Sequence, residues 1–170
     1  MKIPSNKKVV CITGSVWTGG DVAPRHMLVK DGFVRPTWFT TGRPLTDADY
    51  REISETQFHM ANAEKRVLAH IEYRASFIGV MLDDFETAMA NAERGVLMVV
   101  PPEIAAQLAA AISGAIIFAL EAEGMDLSKH LDDAQRSGQL HRLDVDVLEP
   151  GAWTEAHRVM LDVIGLLPKT

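Results

Sequence analysis

The feature that most constrains the fold is an apolar, β-branched run closed by glycine, "KKVVCITG" from Lys7 to Gly14. A run without polar alternation reads as a strand buried on both faces of a parallel sheet. Behind it, "DVAPRHMLVKDG" (residues 21–32) offers Asp21 as an N-cap, Pro24 in the first turn and Gly32 as a stop, which predicts a helix. Strand, glycine-rich loop and helix form the first unit. The loop falls at the carboxyl end of its strand, where ligands bind in open α/β sheets.

The pattern repeats along the chain. "RPTWFTTGRP" reads as a second strand, and the mixed, polar stretch from Leu45 to Val80 has no dominant period, as expected of a small inserted lobe. "LDDFETAMANAERG" predicts a helix that stops at Gly95, and "VLMVV" a buried strand. "PPEIAAQLAAAISG" predicts a proline-led helix, "AIIFAL" another buried strand and "DLSKHLDDAQRSG" a short polar helix. "LHRLDVDV" alternates like an edge strand, and "PGAWTEAHRVMLDVIGLL" closes the chain as an amphipathic helix. Four or five short strands alternating with helices predict an α/β fold with a parallel sheet in three layers.

The loop itself, "GSVWTGGD" (Gly14 to Asp21), has the spacing of a phosphate loop, with Gly14 and Gly19 five residues apart. Such loops work through converging backbone N–H groups, a lysine that adds mobile positive charge, and a hydroxyl that ligates magnesium. Here Gly20 and Asp21 stand where the lysine and the hydroxyl belong. Gly14, Ser15, Thr18, Gly19 and Gly20 retain the backbone elements of a cofactor-phosphate cradle, while Asp21 would repel phosphate unless a cation intervened. A dinucleotide-binding reading fails, because Thr18 occupies a position that needs glycine.

Composition narrows the partners. The 170 residues are 47% hydrophobic with a net charge of −6, which argues against nucleic acid and against an anionic membrane surface. The lone Cys11, inside an apolar run, precludes an intramolecular disulfide and is expected in the core. Glu103, Gln107, Ser113 and Gly114 interrupt the longest apolar stretch, so no membrane span is expected and a cytoplasmic location is. Homo-oligomerisation is left open.

With these elements in place, the chain resembles the guanylate kinases over nearly its whole length. "TTGRP" is similar to the entry of that family's monophosphate lobe, "DYREIS" to the segment that follows, "VLAHIEYRASFIGV" to its acidic and aromatic hairpin, and "DDFETAMANAERGVLMVV" to its helix and central strand. "DLSKHLDDAQ" resembles the start of the helix after the lid. The resemblance implies one P-loop kinase-like domain over residues 1–170: a core at 1–39 and 81–170, an inserted lobe at 40–80, and a reduced lid near 120–138. It also implies substrate-binding positions at Thr40, Thr41, Arg43, Tyr50, Glu72 and Ile78.

The departures gather where the chemistry belongs. Besides the degenerate Walker A loop, Gly42 and Leu45 stand at the family's two phosphate-binding arginines, with Arg43 one place along from the first. Ala69 stands at the guanine-reading glutamate, Ile78 and Val80 at the tyrosine and hydroxyl, Val99 and Val100 at the acidic pair of the central strand, and His130 at the lid arginine. Thr40, Thr41, Tyr50, Glu72 and Gly79 persist. Phosphoryl transfer depends on positioning and on cations that neutralise the phosphoryl oxygens. Losing one such donor costs roughly 3 to 4 kcal/mol, so losing several predicts negligible ATP:GMP phosphotransfer.

Each remaining candidate has a structural alternative. Asp21 is a metal ligand or the helix N-cap; Trp17 stacks on a ring or packs; Arg25 and His26 lean toward the loop or face solvent. Tyr50 and Glu72 bind ligand or pair structurally, and Asp83 and Asp84 serve a helix N-terminus. The histidines at 59, 70, 130, 141 and 157 lack metal-ligand spacing, so no metal is expected. The expectation is a guanylate-kinase-like protein kept for binding a phosphorylated small molecule or a protein partner. The alternatives are a divergent phosphotransferase, with Asp21, Arg43 and Glu72 as catalytic candidates, Arg25 and Lys129 as replacement cations and ATP with Mg2+ as cofactors, or an enzyme of changed reaction type on the same fold.

Overall fold

A computed structural model of the chain describes residues 1–14, 30–43, 50–120, 128–143 and 151–166. Nine strands lie among these described residues: β1 (Lys8–Gly14), β2 (Phe33–Val34), β3 (Trp38–Thr40), β4 (Tyr50–Glu52), β5 (Val67–Tyr73), β6 (Ser76–Met81), β7 (Gly95–Val99), β8 (Ile116–Leu120) and β9 (Leu140–Leu143). The helices are α1 (Glu55–Ala63), α2 (Leu82–Asn91), α3 (Pro102–Ala111), α4 (Ser128–Arg136) and α5 (Ala152–Ile164).

The main sheet is parallel throughout, in the order β2-β7-β1-β8-β9. β1 is the middle strand because its residues have no polar face to give to solvent; Val9 through Ile12 are all buried. Val9 and Cys11 point to one side, where Phe85 and Met89 of α2, Ile104 and Leu108 of α3, and Leu131 of α4 cover them. Val10 and Ile12 point to the other, against Met160 and Ile164 of α5. Helix, sheet and helix layers follow directly, so the chain has the expected three-layer α/β/α, P-loop kinase-like architecture.

Local signals set the helix ends. α3 opens with a proline at its first position, whose missing N–H costs nothing there. α5 ends at Gly165, whose φ of 86° closes a turn with bonds back to Leu161 and Asp162. α2 stops at Asn91, and Gly95 is the first residue of β7 rather than the helix stop.

The predicted second strand, residues 35–44, is shortened to Trp38–Thr40, and a further short strand, Phe33–Val34, precedes it. Phe33–Val34 joins the main sheet, while Trp38–Thr40 pairs with β6 in a second sheet of order β4-β3-β6-β5. Buried Pro36 separates them, and proline cannot donate to a ladder. One face of the second sheet, through Ala69 and Val80, merges with the core around Val100 and Ile104. Its other face carries stacked Phe58 and Phe77, 4.3 Å between ring centres, with Phe39 5.6 Å from Phe58. Among the described residues no helix is long and apolar enough to cross a membrane.

Candidate functional site

The chain leaves β1 toward β2 on one side and later fills β8 and β9 on the other, so the topological switch lies at the carboxyl end of β1. Gly14 ends that strand with a φ of 97°, a conformation that favours glycine. A Cβ there would run into the carbonyl oxygen of Leu120 on β8. This glycine is therefore needed for backbone approach, whatever the loop beyond it binds. Ser15, Thr18, Gly19, Gly20 and Asp21, together with Trp17, Arg25, His26 and Leu45, lie outside the described residues, as does the side chain of Lys129.

The second sheet supplies the facing wall. Register places Thr40 beside Ile78, Ile78 beside Ile71, Val80 beside Ala69, and Tyr50 beside Trp38. Strand alternation puts these side chains on the face turned toward the main sheet. Val80 and Ala69 are fully enclosed in the shared core, while Ile78 is half-buried. The three positions where the guanylate-kinase resemblance requires polar groups thus carry apolar side chains on one contiguous face. A purine edge brought there would leave its hydrogen-bonding groups unpaired.

Thr40 is buried, and its hydroxyl oxygen accepts the Gly42 N–H at 3.1 Å. Thr41 belongs to the opposite face, where its hydroxyl oxygen accepts the Phe77 N–H at 2.8 Å. Both threonines therefore extend β3 into its turn. A Cβ at Gly42 would meet the Ser76 hydroxyl, which would have to turn away. Arg43 follows, exposed and without a hydrogen bond or ion pair among the described residues. Among the described residues this cation is thus left available to an anion.

Tyr50 is half-buried, and its phenol is pushed above the ordinary range by burial, an effect that nearby Arg35 opposes. It is a neutral hydrogen-bonding group at physiological pH. Glu72 pairs with Phe77 and is exposed on the face opposite Thr40, Ile78 and Tyr50. The structure brings Thr40, Tyr50 and Ile78 together and sets Glu72 and Thr41 apart from them.

Other groups serve the scaffold. Burial pushes the Cys11 thiol up to about 12, so no thiolate forms near neutrality. His130 lies 3.5 Å from Glu103, and His157 lies 2.7 Å from Asp31. Asp83 and Asp84 stand in the first turn of α2, and the Asp84 carboxylate also accepts both Arg51 guanidinium nitrogens, at 3.1 and 2.6 Å, tying β4 to α2. Among the described residues no group of three or more His, Cys, Asp or Glu side chains could hold a metal ion.

Two arrangements escaped sequence reasoning. The Gln107 side chain in α3 accepts the His70 N–H at 2.9 Å and donates to the His70 carbonyl at 2.7 Å. A lone glutamine in the alanine-rich helix "IAAQLAAA" was the available signal. The second is Thr13, fully buried with its hydroxyl lacking any hydrogen-bond partner among the described residues. Only its place before Gly14 hinted at it.

No protein-family profile and none of the curated proteins matches the chain. Among solved structures, guanylate kinase from Anaplasma phagocytophilum is similar, with a TM-score of 0.63 at 12% identity, over 96% of this chain and 87% of that one. At that identity the likeness establishes the fold, a P-loop kinase-like α/β/α arrangement, and nothing finer.

Proposed function

We propose that the chain is a guanylate-kinase-like binding protein for a phosphorylated small molecule, with ordinary ATP:GMP phosphotransfer lost. The observation that carries this reading is half-buried Ile78 beside Thr40 on the face turned toward the main sheet, with Arg43, three residues beyond Thr40, exposed and without a partner among the described residues. Arg43 suits an anionic group, and the apolar face suits a ligand body with few polar edges. The sequence adds the missing loop lysine and the valines at 99 and 100, which remove the cations and carboxylates that phosphoryl transfer needs.

A single domain with core 1–39 and 81–170, inserted lobe 40–80 and reduced lid near 120–138 belongs to the same proposal. So does its use of Gly14 and Gly19 as backbone elements of an anion cradle. Calorimetric titration with GMP, inorganic phosphate and ATP with Mg2+, alongside a coupled assay for GDP, tests it. Heat with at least one phosphorylated probe and no GDP supports the reading. Turnover of GMP to GDP by the purified chain overturns it.

A further inference from the structure

The chain passes between its two sheets at two places, and neither leaves room for a hinge. β6 ends at Met81 and α2 begins at Leu82, so no residue separates them. Between Val34 and Trp38 stand only Arg35, Pro36 and Thr37, and Pro36 is buried with its φ fixed by the ring. Swinging one part of a fold against another needs a few residues that absorb a large change in φ and ψ. These crossings offer little to absorb it.

Core side chains also grip both edges of the second sheet. In the order β4-β3-β6-β5 the outer strands are β4 and β5. On β5, Gln107 of α3 accepts the His70 N–H at 2.9 Å and donates to the His70 carbonyl at 2.7 Å, as a neighbouring strand would. On β4, the Arg51 guanidinium donates twice to the Asp84 carboxylate of α2, at 3.1 and 2.6 Å. A two-point pair of this kind fixes direction as well as distance. The Leu82 N–H adds a bond to the Arg66 carbonyl at 2.8 Å, just before β5. Ala69 of β5 and Val80 of β6 are meanwhile buried in one cluster with Val100 and Ile104. A swing about either edge would pull on the grip at the other.

We infer that the second sheet is locked at both edges and keeps one orientation to the main sheet in the free chain. The face of Thr40, Tyr50 and Ile78 is then a preformed wall, not a jaw that closes on its ligand. The lock stands whatever the site binds.

Spin labels on Asn62→Cys in α1 and Asp162→Cys in α5, both exposed positions, read that orientation as a distance by pulsed electron spin resonance, while buried Cys11 stays unlabelled. The labelled chain should give one narrow distance that moves by no more than about 1 Å between low salt and about 1 M salt. Adding Gln107→Ala should leave it narrow at low salt, where the ion pair still holds. At about 1 M salt, with that pair screened, the distance should spread or shift by more than about 2 Å. Gln107→Ala with Arg51→Ala should show the spread at both salt levels. A broad or two-peaked distance in the labelled chain without these changes overturns the lock. A folded double variant as narrow as its parent overturns the role of the two grips. So does a spread already present at low salt in Gln107→Ala alone, because the ion pair then holds nothing. If the double variant fails to fold, the salt comparison in Gln107→Ala decides, and no response there overturns the Arg51–Asp84 grip.

Discussion

Gln107 holds both backbone polar groups of His70, accepting at 2.9 Å and donating at 2.7 Å, so a side chain of α3 acts as the missing neighbour of edge strand β5. The second sheet is thereby pinned to the main core at the point where their apolar cluster is shared through Ala69. Gln107→Ala should lower stability by about 1–3 kcal/mol, with faster hydrogen exchange at the His70 amide than at neighbouring β5 amides. Exchange at His70 unchanged from wild type would show that the clamp is redundant.

Ala69 now belongs to the core. Ala69→Glu, which restores the residue type that the guanylate-kinase resemblance calls for, is expected to cost about 3 kcal/mol or more by enclosing an unpaired carboxylate. Chemical denaturation measures the loss. A variant as stable as wild type, with new GMP affinity, would mean that this face still opens onto a guanine site.

Arg43 is an exposed cation just past Thr40 and Thr41, without a partner among the described residues. Arg43→Ala should leave the melting temperature within about one degree and weaken phosphate-probe binding about tenfold, with the wild-type affinity falling as salt is raised. Titration at two ionic strengths reads both effects.

The loop itself can be repaired. Gly20→Lys combined with Asp21→Ser replaces a carboxylate with a hydroxyl and supplies the mobile charge. Affinity for ATP with Mg2+ is expected to rise about tenfold or more, while GMP phosphorylation stays absent because the acceptor face remains apolar. No gain in ATP affinity would argue that the segment no longer cradles phosphate.

Stability should depend on pH at both ends of the range. Burial raises the folded-state pKa of Cys11 from 9.0 to about 12, so its contribution is full below pH 9 and lost as pH rises toward 12. The slope approaches about 1.4 kcal/mol per pH unit and should vanish in Cys11→Ala. His70 is shifted the other way, its pKa lowered from 6.5 by burial, so its contribution is present above pH 6.5 and lost on acidification. Denaturation midpoints across the range, in wild type and in each single variant, check both signs.

The parts of the fold legible in the sequence are those where apolar runs are long and sharply bounded. β1, β7 and β8 are buried on both faces, and each is bounded on at least one side by glycine or proline: Gly14 ends β1, Gly95 opens β7 with Pro101 just beyond it, and Gly114 precedes β8. The second sheet was not resolvable, because its strands are half-buried and α1 carries only Phe58 and Ala61 inward. Which of its residues share a face depends on register. The shift between Val67 and Ala69 sets that register for β5, and a one-residue slip reverses every side chain. The guanylate-kinase resemblance grouped Glu72 with Tyr50 and Ile78, whereas pairing sets it behind them. The Thr13 hydroxyl, without a partner among the described residues, was illegible for a related reason: a partner's absence is a property of packing.

The placement of β1 also orders events during synthesis. Lys8 pairs with Gly95 and Val10 with Ile116, so the sheet's middle strand leaves the ribosome first and meets its two flanking strands only after most of the chain has followed. Until then the Val9–Ile12 segment is a naked hydrophobic ribbon, and a nascent chain stalled before residue 95 should be the species that chaperones grip.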